Sequence, residues 1–329
     1  MANKQADHKN KVKELKKEIL DAHKDIELKK HLIEYYEKAI PSKITPIILP
    51  AASSNDKSEH GIVIALLSDI HCEHKITKAQ TGGINYYSPF VCRERLANYA
   101  NNLVKLTKMF RAHIQLDTLI WGWLGDMLHG FIHEEYLRTN ALTPIQAALF
   151  ITEELRKVLR FVMDNGGYKQ IRIVCKIGNH SRTTQKVYSD EEALHSYEWG
   201  IYQTLAHEFP GIDWVIEESY FTYMSVYNKV LRFHHGHGFK YMGGIGGIHI
   251  PLLRYISKVN RQRRADMDII GHWHSRTFDA TDGYLINGSV CGVDPYSIRL
   301  GFPIEPPTQQ FQILDAKRGF TINAPIMVL

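Results

Sequence analysis

Cysteine is scarce in this 329-residue chain. The four present, Cys72, Cys92, Cys175 and Cys291, lie far apart and form no C-x-x-C pair. That excludes a disulfide scaffold and predicts reduced thiols in a cytoplasmic compartment. Long apolar runs are missing as well. Stretches such as 62–67 and 119–124 fall far short of the roughly 20 residues a membrane span needs, so no membrane partner is expected. The N-terminus, Met-Ala-Asn-Lys, leads into charged sequence without a secretory h-region. The glycine-rich stretch 243–247 is not followed by G-K-[ST], which rules out a P-loop and leaves a flexible loop, read as a lid. No internal repeat is visible. Neither sign of charge dominates: the net charge of +5 permits a nucleic-acid partner without requiring one. With 44% hydrophobic and 23% charged residues, the composition is that of a soluble globular chain of one large or two small domains, not a disordered one.

Two things are plentiful: Lys and Glu at the start, and histidine, with 18 in the chain. Residues 1–43 contain no glycine and a single proline, Pro41. Val12, Leu15, Ile19, Ala22, Ile26, Ile33, Tyr36 and Ile40 recur at steps of three and four, with Lys29 in the vacant slot. This is a heptad seam. It predicts a coiled-coil-like helix that makes a homo-oligomer or holds a partner protein; the alternative is an amphipathic helix lying on its own domain. Residues 44–60 read as a linker in which 44–49 could add an edge strand. The remaining 61–329 form the main domain.

There, short apolar runs alternate with longer helical stretches. Residues 61–68, 117–124, 171–177, 229–234 and 267–270 read as buried strands. Residues 93–112 and 143–165 read as helices, the second with Thr143 as N-cap and Pro144 at its first position. Residues 284–290 and the Phe311 and Phe320 segments add strands that close a sheet. The alternation predicts an α/β layered fold.

Each of the five strands runs into Asp, Asn or His. The sequences are Asp69-Ile70-His71, Gly125-Asp126, Gly178-Asn179-His180, His234-His235-Gly236-His237 and Gly271-His272-Trp273-His274. Ligands of open α/β sheets sit at the carboxyl ends of strands, so five such ends are expected to converge. On an extended chain, residues two apart, as in Asp69/His71 and His272/His274, point the same way. Oxygen and imidazole donors without thiolate suit manganese, iron or zinc. Two such ions about 3.5–4 Å apart clamp a phosphate and activate a water. The glycines at 125, 178 and 271 allow the backbone to turn and approach closely. Any one fragment is weak; five in order, each after a strand-like run, form a specific signal.

The ordered set D-x-H, G-D, G-N-H, H-G-H and G-H-x-H, spanning residues 61 to about 292, resembles the calcineurin-like metallophosphoesterase superfamily. The resemblance implies a two-sheet β-sandwich flanked by helices, with two divalent ions, manganese foremost and zinc or iron as alternatives. It implies that Asp69, His71, Asp126 and His274 hold the first ion and that Asp126 bridges. Asn179, His235 and His272 would complete the second, with His237 as the fallback for His235. His180 would stand close to the scissile phosphate and assist the leaving group, while a hydroxide held between the ions attacks in line. Ser181 and Arg182 follow G-N-H where the family often has an acid, leaving the partner of His180 open. No arginine follows Gly125-Asp126 closely, which weakens a protein-phosphatase reading. The stretch 125–140 resembles a phage-encoded branch described as phosphoesterases or DNA exonucleases, which would place the chain in a host cytoplasm.

The expected substrate is a phosphodiester, foremost DNA. Lys258, Arg261, Arg263 and Arg264, with Arg172, Lys176 and Arg182, are candidate phosphate contacts. Arg182 and Lys186 could grip a non-bridging oxygen. His129 and His133 could line the cleft or cap a helix. Tyr86 and Tyr87 could stack on a base, whereas Trp121 and Trp123 are expected in the core. The alternatives are a small-nucleotide phosphodiesterase, a protein phosphatase and a non-catalytic assembly protein.

Overall fold

A computed structural model describes residues 60–240 and 247–329, together with helical positions between Lys11 and Lys30. The chain divides into two units, Met1–Pro46 and Ile47–Leu329. In the first, Leu15, Ile19 and Ile26 of the heptad stripe are helical and exposed. The other stripe positions, the edge strand expected at 44–49 and residues 243–246 of the glycine loop lie outside the described residues. No described helix is long and apolar enough to cross a membrane.

The second unit alternates strands and helices. In order they are β1 (His60–Leu67), α1 (Pro89–Arg111), β2 (Gln115–Trp123), α2 (Tyr136–Thr139), α3 (Pro144–Gly166), β3 (Gln170–Cys175) and α4 (Tyr197–Glu208). There follow β4 (Asp213–Ile216), β5 (Thr222–Val226), β6 (Lys229–His234), α5 (His249–Asn260), β7 (Met267–Ile270), β8 (Thr277–Asp279), β9 (Tyr284–Ile286), α6 (Pro295–Arg299), β10 (Thr308–Asp315) and β11 (Gly319–Met327).

Two mixed sheets result. The first has the order β11-β10-β1-β2-β3-β4, the second β5-β6-β7-β9-β8. β1 to β4 run parallel, as do β6, β7 and β9. Alternation along β1 shows the layering. Val63, Ala65 and Leu67 face a core shared with Leu96, Leu103, Ile151, Leu155 and Leu205 of α1, α3 and α4. Ile62, Ile64 and Leu66 face the second sheet, meeting Met224, Leu231, Phe233 and Ile269. On the far side of that sheet, Ile270 and Ile286 pack on Leu252 and Ile256 of α5. This unit is therefore a two-sheet α/β sandwich flanked by helices. Strands covered on both faces are apolar at most positions, which is why these runs stand out in the sequence.

Helix α3 begins in a capping box, with Thr143 and Gln146 each satisfying the other's backbone, and stops at Gly167, whose φ of 64° is left-handed. Helix α1 starts four residues before the expected Arg93, because Ser88 caps it and Pro89 opens it. Strands β4, β5 and β8 were not anticipated. They are short, and they take their place from neighbours in the sheet rather than from their own pattern.

One polar contact is locked within the second sheet. Arg232 on β6 and Asp268 on β7 are register partners and both almost wholly buried. They form a double hydrogen bond, Nε to Oδ1 and Nη2 to Oδ2, each 2.7 Å. The guanidinium also lies over the rings of Phe221 and Tyr223. Asp268 Oδ1 further sits 3.2 Å from His234 Nε2, beside the fourth motif. Removing one partner strands a buried charge. Arg232→Met is therefore expected to destabilise the fold by about 3–5 kcal/mol, read as a lowered urea midpoint with an unchanged slope.

Candidate metal centre

The strand exits are stitched together before any side chain is considered. Asp69 N donates to Gly125 O at 3.0 Å, and Ile70 N and His71 N both donate to Asp126 O, at 2.8 and 3.0 Å. The loops after β1 and β2 thus run side by side. Gly125, with φ of 88°, packs on the loop after β3: a Cβ there would stand 2.2 Å from Gly178 N. A Cβ on Gly178 would in turn stand 2.0 Å from Asp126 Oδ1. The two glycines are thus required by close approach of two backbones.

Among the described residues, six that are not glycine have a left-handed φ. Five of them are expected ligands: Asp69 (53°), His71 (47°), Asp126 (53°), His272 (69°) and His274 (54°). Such residues cost free energy and collect at functional sites. This corrects one expectation. Asp69 and His71, and likewise His272 and His274, do not share a face by strand alternation, because the chain has already left the strand and is turning.

All seven expected ligands come to this place. Asp69, His71 and Asp126 have donor atoms within 4.8 Å of one another, as do Asp126, His235 and His272. Asp126 belongs to both groups: its Oδ2 lies 3.0 Å from His235 Nε2 and 3.9 Å from His71 Nε2. Asn179 Oδ1 is 3.1 Å from His235 Nε2. His274 Nε2 lies 3.2 Å from His71 Nε2 and 3.4 Å from Asp69 Oδ1. His237 stands apart, with its Nε2 2.7 Å from Glu192 Oε1.

The donor set fits divalent ions. His235 Nδ1 donates to Leu124 O at 2.5 Å, which turns the lone pair of a neutral Nε2 toward Asp126 and Asn179 oxygens. His71 and His274 likewise bring two ring nitrogens together. Such pairs repel unless a proton or a cation stands between them. Electrostatics tell the same story. Burial pushes the His71 and His272 imidazoles down. Burial also opposes charge on His235, but the Asp126 carboxylate outweighs it and lifts the ring to about 9. Burial acts to raise the Asp126 carboxyl, yet His235, His180 and His71 together hold it well below its usual range.

His180 has its backbone N on Asp126 Oδ1 and its Nδ1 on His129 O, both at 2.9 Å. A backbone carbonyl thus takes the place of the carboxylate missing after G-N-H. His129 is almost fully buried, with Nδ1 3.2 Å from His71 Nδ1 and its ring stacked on His74 at 3.8 Å. It backs a ligand instead of lining the cleft. His133 packs edge-on to Tyr136.

Other expected contacts are redistributed. Arg172 is buried and bonds Asp213 at 2.7 Å. Lys176 is buried and donates to Ser219 O and Thr222 Oγ1. Neither can reach a nucleic-acid phosphate. Arg182 donates to the carbonyls of Asn179, Thr184 and Gln185, so it braces the loop carrying Asn179. Lys186 is exposed. Tyr87 is buried with its hydroxyl on Ile70 O at 2.7 Å, which leaves Tyr86 as the exposed tyrosine of the pair. Trp121 and Trp123 are in the core.

Two carboxylates escaped the sequence reading. Glu73 accepts from His129 N and Gly130 N at 2.9 and 2.7 Å. Glu198 accepts from Met127 N and Gly178 N, both at 2.7 Å. Burial pushes both up, Glu198 to about 8. Each ties down loop amides that carry the ligands. Glu73 stands two residues after His71, which could have drawn notice; Glu198 opens α4 and carries no local signal.

Gly178→Ala is expected to displace Asp126 and lower metal affinity about 10–100-fold, measured by calorimetric titration, with the unfolding midpoint tracked as a control. Burial lowers Lys176 from 10.5 to about 8. Below the lower value the folded state carries the full burial penalty; between the two it sheds its proton while the unfolded chain keeps it. Stability contributed by this group therefore rises with pH across that window. The stability difference between Lys176→Met and the parent should shift in favour of the parent by about 3 kcal/mol from about pH 7 to about pH 11, measured by urea unfolding at each pH.

No protein-family model and no curated sequence matches the chain. Solved structures similar to it include a hypothetical protein from Pyrococcus horikoshii, 10% identical, covering 81% of this chain and 88% of that one with a TM-score of 0.41. Vps29 from Entamoeba histolytica complexed with zinc is 12% identical and covers 80% and 99%, with a TM-score of 0.32. A predicted phosphoesterase from Streptococcus pneumoniae is 11% identical and covers 82% and 98%, with a TM-score of 0.28.

Proposed function

We propose that the domain is a dinuclear-metal phosphoesterase that hydrolyses phosphodiester bonds, with DNA as substrate. The observation that carries this reading is the pair of donor groups sharing Asp126, built on five left-handed residues at the exits of β1, β2 and β7. Asp69, His71, Asp126 and His274 would hold one ion, and Asp126, Asn179, His235 and His272 the other. Divalent ions held there, manganese foremost, offset phosphate charge and supply an activated water. His180 is the acid-base group. Its Nδ1–H is anchored on the His129 carbonyl, so Nε2 is the atom that can hand a proton to the leaving oxygen. Burial keeps the ring neutral in isolation, and an incoming phosphodiester's negative charge favours the imidazolium.

Lys258, Arg261, Arg263 and Arg264 are exposed at the end of α5 and the turn beyond it, and Tyr86 is open for base stacking. These support a nucleic-acid substrate. Residues 1–43 are assigned to self-assembly or partner binding; their deletion should change the mass in solution.

The test is a manganese-supplemented assay on linear DNA, bis-p-nitrophenyl phosphate and p-nitrophenyl phosphate. Shortening of DNA, with affinity falling steeply in salt, is expected; cleavage confined to small diesters would replace DNA with a nucleotide substrate. Asp126→Asn should lose metal and turnover together. His180→Ala should keep its metal and lose about 10²–10⁴ in turnover. Full activity in Asp126→Asn would sink the dinuclear reading.

A further inference from the structure

The resemblance-derived ligands are nitrogen and oxygen donors, yet a sulfur atom faces the same space. Cys291 Sγ, His71 and His274 have donor atoms within 4.8 Å of one another. The thiol is 1% exposed, and its position is held from several directions. Cys291 N donates to Asp69 O at 3.4 Å, and Val290 N to the same oxygen at 3.1 Å. Asn85 Nδ2 and Arg95 Nη1 donate to Cys291 O at 2.9 and 2.8 Å. The turn after β9 is therefore tied directly to the D-x-H loop. Ser289 Oγ stands 3.1 Å from the sulfur.

The remaining cysteines have no such setting. Cys72 and Cys92 lie among the core residues under α1, and Cys175 lies at the end of β3. Among the described residues, Cys291 is the one that groups with two imidazoles. The two halves of the centre then differ in chemistry. Asp126, Asn179, His235 and His272 offer oxygen and nitrogen. The other half adds sulfur.

We propose that Cys291 supplies a thiolate donor to the ion held by His71 and His274, so that this position prefers zinc to manganese. The inference rests on the metal-centre reading above. Neighbouring donors on a zinc ion, with Zn–N near 2.0 Å and Zn–S near 2.3 Å, stand roughly 3.5 Å apart, so a closure of about 1 Å brings the sulfur into reach. On binding, the S–H bond gives its proton to solvent and a sulfur–metal bond forms. Soft sulfur favours zinc and cobalt over manganese.

The experiment loads the full-length protein with cobalt(II) and reads the near-ultraviolet thiolate-to-cobalt charge-transfer band. The band is expected in the parent and in Cys175→Ser, and absent in Cys291→Ser. Zinc affinity of Cys291→Ser should fall at least about tenfold, while manganese affinity stays within about threefold. If Cys291→Ser does not fold, the parent spectrum still decides. Cobalt bound with no charge-transfer band, or a band that survives Cys291→Ser, overturns the sulfur donor and leaves the metal centre standing. Failure to bind cobalt, zinc or manganese at all overturns both.

Discussion

The carboxylate of Asp126 is almost wholly buried among imidazoles, and a buried charge is tolerated only when opposite charge or hydrogen bonds surround it. Much of the domain is arranged to meet that condition. Its Oδ1 accepts from His180 N, its Oδ2 faces His235 and His71, and its backbone carbonyl accepts from two amides of the D-x-H loop. Gly178 has no side chain because Asp126 occupies that volume. These contacts hold His71 and Asp126 in their left-handed conformations, while His272 N donates to the Asp69 carboxylate.

Around this centre the polar network is arranged in shells. Glu73 and Glu198 each clamp a pair of backbone amides, which fixes the loops that bear His129, Asp126 and Asn179. Arg182 braces the loop of Asn179 by donating to its carbonyls. Within the second sheet, Asp268 couples Arg232 to His234, so the residue before His235 is anchored in the core. The histidines at this centre therefore play two parts. Some rings converge on Asp126, while His129 and His234 brace the rings and strands beside it. The basic candidates divide similarly: Arg172 and Lys176 are interior, whereas Lys258, Arg261 and Arg264 are exposed at the end of α5 and the turn beyond it, with Arg263 over the Tyr223 ring.

The architecture was legible in the chain where burial is two-sided. β1, β2, β3, β6 and β7 lie between layers, so they are mostly apolar, interrupted by Arg172, Arg232 and Asp268, and the polar residues beyond each strand mark its exit. β4, β5 and β8 have no such signature, because pairing partners rather than composition place them. Capping chemistry at Thr143 could be read locally, whereas the cap at Ser88 lies ahead of the helix expected from Arg93.

From sequence alone came the ordered motifs, the residue types suited to divalent ions, and the layered α/β class. All of these depend on periodicity or on neighbours a few positions away. Tertiary structure decided which side chains meet. It set His235 rather than His237 against Asp126, gave His180 the His129 carbonyl as partner, buried His129 and Lys176, and brought Cys291 to His71 and His274. The physical reason is distance along the chain. The contacts at Asp69, Glu73 and Cys291 join segments that only the pairing of sheets brings together, and no local pattern encodes where such segments will cross.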